Sequence, residues 1–363
     1  MPRLGSIFLK LMALLVAGLV LAACTGGAKV KVGVSFAAVD TVRWQSEQAM
    51  LVKMLEEKGY EVVSLVANHD ARLQSDQVDD MVKQKVQAII LLPENGDALV
   101  GAVERAAEAG VRVLAYERLV KTPRVAAYLS FDNLEAGRQQ ALGLLAGFDL
   151  ENRDQPVRLA FLSGLPSDNN AVLFRMGQDQ ALAPMLTAGT VKVVAEQSLQ
   201  PLNLGDAKKR MQDLLDETKN KIDAVLIYDD EAAVQALEII QKQQLPTPVW
   251  VAGQGLTIAG ASAIARGDLA LSIFKDTRDL PPSAVYLLDW VLTGQPVDDF
   301  TLEMYSLAAL TNDETRTGEI PCLFLPIRAV TQANLFDEVV VSGYYAYDDI
   351  YLGLPENLRP FRP

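Results

Sequence analysis

Histidine and cysteine are nearly absent from this chain. Among 363 residues there is one histidine, His69, and there are two cysteines, Cys24 and Cys322. A zinc-type metal site needs several such ligands at short spacing, so no metal is expected. A Ser-His-Asp hydrolase would have to use His69, which sits in the polar stretch Ala67-Asn68-His69-Asp70 far from any nucleophile-elbow motif. His69 therefore reads as a plain surface residue. Basic clusters are missing too. The formal net charge is −13, whereas a nucleic-acid binder shows a basic face. What is present is apolar: 50% of residues are hydrophobic and 22% charged, the balance of a globular protein. The length suggests roughly two domains with ample core.

The N-terminus reads as an address. Residues 1–10 carry Arg3 and Lys10, and residues 11–23 are almost wholly apolar. That run is too short to span a bilayer comfortably, so a signal peptide over residues 1–23 is the better reading. It ends in Leu21-Ala22-Ala23-Cys24, which resembles a bacterial lipobox. The resemblance implies cleavage before Cys24, a lipid on its thiol and a short tether over residues 24–28. The mature body would then sit at the outer face of the cytoplasmic membrane. Cys322 would be a lone structural thiol, and no disulfide is expected.

The body alternates. Apolar runs at 30–36, 61–67, 88–92, 111–116 and 125–131 are separated by amphipathic stretches at 40–60, 72–86 and 97–110. Such alternation specifies a parallel sheet covered by helices on both faces. The pattern restarts at residue 157, with apolar runs at 157–163, 191–196, 222–228, 248–252 and 269–274. Helices are expected at 207–218, 231–243 and 280–292. Run 157–163 matches 30–36, 222–228 matches 86–92, and 248–252 matches 111–115. This weak repeat, with a period of about 135 residues, is too long for a solenoid. It implies two similar doubly wound α/β lobes whose strand tips face a ligand between them. From Asp298 onward the pattern is irregular, interrupted by Pro321 and Pro326. The aromatic tail Tyr344-Tyr345-Ala346-Tyr347 is expected to pack on the second lobe.

The most informative stretch is 157–177, VRLAFLSGLPSDNNAVLFRMG. It reads as strand, polar loop and helix, placing Asp168, Asn169 and Asn170 at a strand tip with Arg175 a turn or so later. Asn offers donor and acceptor together, and Arg a planar fork of donors, which suits a small hydroxyl-rich ligand. Asp and Asn are also ordinary helix caps, so this loop alone leaves both readings open. Other tips carry similar groups. Arg43 and Trp44 follow the first run, and an indole face stacks on the C–H face of a sugar ring. Glu117 and Arg118 pair an acceptor with donors, while Asp229, Asp230, Gln254 and Lys275 end equivalent strands of the second half.

At these residues the chain resembles the periplasmic sugar-binding proteins of the type I fold, closest to the D-xylose-binding components of ABC transporters. The matching motifs are Arg43-Trp44-Gln45, Ala115-Tyr116-Glu117-Arg118, Ser130-Phe131-Asp132-Asn133, Asp168-Asn169-Asn170 with Phe174-Arg175, Gly253-Gln254 and Lys275. The resemblance implies two lobes joined by three crossovers. Residues 29–132 and 256–300 would form the first lobe, and 133–255 and 301–363 the second. It implies ligand contacts from Arg43, Trp44, Glu117, Arg118, Asp132, Asp168, Asn169, Asn170, Arg175, Asp230, Gln254 and Lys275. It further implies hinge closure on a monosaccharide, no cofactor, no catalytic residue, a monomer, and partnership with a membrane permease and its ATPase. A sensor lipoprotein presenting the closed form to a signalling receptor is the alternative. Three positions depart from the family pattern: Glu117 where Asp is usual, Asp229-Asp230 where Asn-Asp is usual, and Gly255 where Asp is usual. They leave the identity of the sugar open. A glycosidase using Asp229, Asp230 or Glu117 lacks further support in the chain. A sugar-responsive transcription regulator would need a DNA-binding segment where the signal peptide stands.

Overall fold

A computed structural model describes residues 29–199, 206–295 and 302–362. The expected signal peptide, Cys24 and the whole of the expected tether lie outside the described residues. In chain order the elements are β1 (Lys31–Phe36), α1 (Val42–Glu57), β2 (Glu61–Val66), α2 (Ala71–Lys83), β3 (Ala88–Leu92), α3 (Val100–Glu108), β4 (Arg112–Tyr116) and β5 (Ala127–Phe131). Then come α4 (Asn133–Leu145), β6 (Val157–Ser163), α5 (Asn169–Ala188), β7 (Val191–Ser198), α6 (Asp206–Thr218), β8 (Ala224–Ile227), α7 (Asp230–Lys242), β9 (Trp250–Gln254), α8 (Ile258–Arg266) and β10 (Leu271–Lys275). The chain ends with α9 (Leu280–Thr293), β11 (Glu303–Ser306), α10 (Leu307–Thr311), β12 (Glu319–Leu325), β13 (Ile327–Val330) and α11 (Tyr347–Tyr351).

Two sheets result. The first has the order β11-β12-β5-β4-β3-β1-β2 and the second β13-β10-β9-β8-β6-β7. The five-strand run β2-β1-β3-β4-β5 is thus repeated as β7-β6-β8-β9-β10, all parallel. The sequence repeat is a repeat of topology. Fully apolar runs such as Ala88–Leu92 are buried along their whole length, as expected for central parallel strands. Each sheet carries a packed apolar layer on either face, for example Leu51, Leu55 and Leu288 beneath α1 and α9, and Val78, Val103 and Leu310 on the opposite side. Each such side chain withdrawn from water stabilises the fold by about 1.5–3 kcal/mol.

The chain crosses between lobes three times: after β5, between β10 and α9, and at Pro326 between β12 and β13. The lobe boundaries differ from those expected. Residues 256–275 stay in the second lobe, because β10 pairs with β9. Residues 302–325 belong to the first, because β12 pairs with β5. The stretch expected to be irregular instead adds β12, parallel to β5, and β11, antiparallel to β12, to the first sheet and β13, antiparallel to β10, to the second. Pro326 falls between β12 and β13, where a residue without an N–H breaks no ladder. The tail does pack on the second lobe, with Tyr344 edge-on to Phe274 at 4.7 Å between ring centres.

One close approach fixes the base of the second lobe. A Cβ on Gly137 would lie 1.8 Å from the Phe174 carbonyl oxygen, and one on Gly177 would lie 1.9 Å from that of Leu134. Helices α4 and α5 therefore touch backbone to backbone, and any side chain at either glycine would push them apart. Their N-termini carry Asn133 and the Asn169-Asn170 pair.

Candidate functional site

Helix caps account for part of the polar tips. Asp168 Oδ1 accepts from the Asn170 N–H at 2.9 Å, Asp132 from Glu135 N–H at 2.9 Å and Asp229 from Ala232 N–H at 2.7 Å. Each cap is worth about 1 kcal/mol to its helix. The second oxygen of Asp168 accepts a hydrogen bond from the Tyr228 hydroxyl at 2.9 Å.

On the first lobe the residues at the start of α1 form a linked group. Arg43 Nε donates to Glu47 Oε1 at 2.6 Å, and its guanidinium carbon lies 4.1 Å from the centre of the Trp44 ring. Trp44 in turn stands edge-on to Phe36 at 6.3 Å, so it is anchored on the core while part of it stays accessible. Glu47 is buried and accepts a second hydrogen bond from the Tyr116 hydroxyl at 2.9 Å. Burial holds the Glu47 carboxyl above its ordinary range, although Arg43 opposes the shift.

Glu117 has φ +64, in the left-handed region that a residue with a Cβ avoids. Such strain costs about 1–3 kcal/mol and persists where the surroundings over-determine it. Here they do. The Glu117 carbonyl accepts from Ser130 Oγ at 2.9 Å, Tyr128 Oη at 3.2 Å and, from the other lobe, Asn170 Nδ2 at 3.3 Å. Its carboxylate lies 3.4 Å from Asn170 Nδ2 and 3.7 Å from Arg118 Nε. A second contact between lobes is Asn169 Nδ2 donating to the Leu310 carbonyl at 2.7 Å. Lys275, at the tip of β10, donates to Asn133 Oδ1 at 2.6 Å. Burial lowers its ammonium to about 8, with Glu117, Asp168 and Asp132 near enough to oppose that shift.

Between the lobes lies a cleft of about 720 Å³. Its first-lobe wall includes His69, Glu94 and Arg118, and its second-lobe wall Asp168, Asn170 and Tyr228. Carboxylates, amides, a guanidinium, the His69 imidazole and the Tyr228 ring thus converge on one space. They can bind and orient a polyhydroxylated ligand, since each hydroxyl is both donor and acceptor.

Of the expected residues, Arg118, Asp168, Asn169 and Asn170 line that space; Arg43, Trp44, Glu117 and Lys275 are not among its lining residues, and four others lie elsewhere. Asp230 is fully buried, and its Oδ2 accepts from Ser272 Oγ at 2.9 Å and Thr257 N–H at 3.1 Å. Burial pushes its carboxyl well above the usual range, so it holds the turn before α8 rather than facing a ligand. Arg175 donates to both oxygens of Glu196, at 3.2 and 3.1 Å, and pairs with Asp179 while lying over the Phe161 ring. Its fork is occupied. Asp132 faces a separate cavity of about 380 Å³ beside the Pro326 crossover. Gln254 is buried, and its Oε1 finds no partner among the described residues.

Several residues in and around the cleft were not anticipated: Glu47, Asn133, Tyr228 and His69. For Glu47 the i, i+4 spacing from Arg43 was the available signal. For Asn133 and Tyr228 it was adjacency to quoted tip residues. His69 is half-exposed, as expected of a surface residue, but that surface is the cleft wall.

The sequence pattern of a family described as periplasmic binding protein domain matches residues 32–296. The chain belongs to the periplasmic binding protein family. It is accordingly a binding protein and not an enzyme. This periplasmic binding protein is 30% identical over 323 residues to the D-xylose-binding periplasmic protein of Escherichia coli, covering 89% of this chain and 93% of that one. It is 27% identical to the multiple sugar-binding periplasmic receptor ChvE of Rhizobium radiobacter, covering 88% and 92%. Among solved structures it is similar to an ABC transporter solute-binding protein from Clostridium phytofermentans with bound β-D-glucose. That match has a TM-score of 0.75 and 27% identity, covering 88% of this chain and 99% of the other.

Proposed function

We propose that this protein is the sugar-binding component of an ABC importer, closing its two lobes on an aldose of the xylose type. The observation that carries the reading is the paired geometry across the cleft. Asp168 with Asn170 on one lobe and Glu117 with Arg118 on the other put donors and acceptors side by side. Trp44, under the Arg43 guanidinium, supplies a flat apolar face in this reading. A site built to pair each hydroxyl rejects analogues that lack one. The relatives named above bind xylose, several sugars or glucose, which supports the ligand class. Glu117, Asp229 and Gly255 bear on which sugar is chosen. In the same reading the protein is exported as a monomer, held to the membrane by a lipid on Cys24, and served by a permease and its ATPase. The ligand-binding set is Arg43, Trp44, Glu117, Arg118, Asp168, Asn170 and Lys275.

Calorimetric titration with xylose, arabinose, ribose, glucose, galactose and fucose tests the reading. The expected result is micromolar or tighter binding to one or a few of them. Flat traces with all six would overturn it. A sensory role rests on the similarity to a receptor. It predicts that a transporter deletion leaves the sugar response of the cell intact.

A further inference from the structure

The only histidine of the chain sits between two carboxylates on the cleft wall. His69 Nδ1 is 3.1 Å from Glu94 Oε2, and Nε2 is 3.1 Å from Asp40 Oδ2. Ionised carboxylates only accept, and a neutral imidazole donates from one nitrogen alone. The geometry is satisfied on both sides only by the imidazolium. The three residues come from three different strand tips: Asp40 precedes α1, His69 follows β2 and Glu94 follows β3. The backbone is bent to place the ring, since Asn68 and His69 have φ of 50 and 64. Such conformations persist where the surroundings impose them. The His69 N–H is also tied to the Ala37 carbonyl at 3.0 Å.

We propose that His69 is a positioning residue whose protonation couples ligand affinity to pH. As imidazolium it clamps Asp40 and Glu94 together and fixes the first-lobe wall. When it loses its proton, two carboxylates are left facing each other across a neutral ring. The inference rests on the ligand-binding reading of the cleft given above.

The surroundings favour the cation. Asp40 raises the proton affinity of His69 most, through the hydrogen bond; burial of the ring opposes it, and Glu94 adds to the rise, so the net direction is upward because both ring nitrogens face a carboxylate. Asp70, next in sequence, is held as the cap of α2 by the N–H groups of Arg72 and Leu73. Asp168, Asp206, Asp229 and Glu231 line the opposite wall. Two cations oppose, Arg118 and Lys121, and Lys121 is paired with Asp97 at 2.8 Å. A ligand filling the cleft displaces water from His69 and Glu94. Lower local polarity strengthens the attraction of one cation to two anions. The closed, occupied form therefore holds the proton more tightly than the empty form. Binding takes up a fraction of a proton, and affinity falls as pH rises through the raised His69 pKa.

The test is calorimetry of the protein with the aldose that binds it, from about pH 6 to about pH 9, in buffers of different ionisation enthalpy. The expected result is affinity about three- to tenfold weaker at the alkaline end, with proton uptake near the midpoint. His69→Gln should flatten the profile at the weak level. His69→Lys, which keeps a cation, should flatten it at the tight level. A flat wild-type profile without proton uptake overturns the proposal, and so does an unchanged slope in His69→Gln. Lys275, lowered to about 8, also titrates in this range, so the assignment to His69 rests on the variants, and if one of them does not fold the other decides. Binding with a flat profile leaves the sugar reading standing and removes this inference. No binding of any sugar at any pH removes both.

Discussion

The two lobes repeat one strand order but differ in how most of their polar tips are held. On the first lobe the tips are joined side chain to side chain: Arg43 with Glu47, His69 with Asp40 and Glu94, Arg118 with Glu117. On the second lobe the acidic tips are built into the backbone. Asp168 and Asp229 cap helices, and Asp230 pins the turn before α8. Half-exposed ion pairs are worth little individually and rearrange readily. Backbone caps are fixed by the helices that they start. In the proposed closure an adjustable wall meets a rigid one, and shared topology does not imply shared chemistry.

Substitutions can break that contrast, and the largest effect is expected at Asp168. Asp168→Ala removes a ligand acceptor and a cap, and leaves the Tyr228 hydroxyl without its partner. Sugar affinity should fall about 100-fold by calorimetry. Trp44→Ala on the adjustable wall should cost about tenfold through lost stacking, with little change in thermal stability. Asn169→Ala cuts the hydrogen bond to Leu310 that joins the lobes. Losing about 1 kcal/mol of closed-state stability should weaken binding about fivefold and raise the radius of gyration of the ligand-free protein in solution scattering.

Asp230 sharpens the contrast through stability. Its folded pKa is raised, so its contribution is fully present below the unfolded carboxylate pKa and is lost as pH rises toward the folded value. Asp230→Asn cannot ionise. Its melting temperature relative to wild type should therefore climb as pH is raised from acid to neutral, with sugar affinity hardly altered. The smallest effect is expected at Arg175. With its donors on Glu196 and Asp179, Arg175→Ala should change affinity less than about twofold and stability by under about 1 kcal/mol. A large loss of binding there would return Arg175 to the ligand.

Much of this was legible in sequence because buried parallel strands are continuous apolar runs. Runs such as 88–92 and 157–163 announced their elements, and their spacing announced the repeat. The stretch after residue 300 was not legible, since β11 and β13 are four residues each and an amphipathic signal needs more length. Lobe membership of 256–275 was missed for another reason: a strand does not record in its own residues which neighbour it pairs with.

Composition and periodicity by themselves determined the α/β class and the two-lobed repeat, and they marked the strand tips as the candidate positions. Tertiary structure alone decided which tip residues face the cleft. Asp229 and Asp230 are neighbours in sequence, yet one lines the cleft and the other is buried behind it. His69 looked idle until folding set Asp40 and Glu94 on either side of its ring. The physical reason is common to both cases. The chemistry of a side chain is written in the sequence, but its solvation and its partners come from segments distant along the chain.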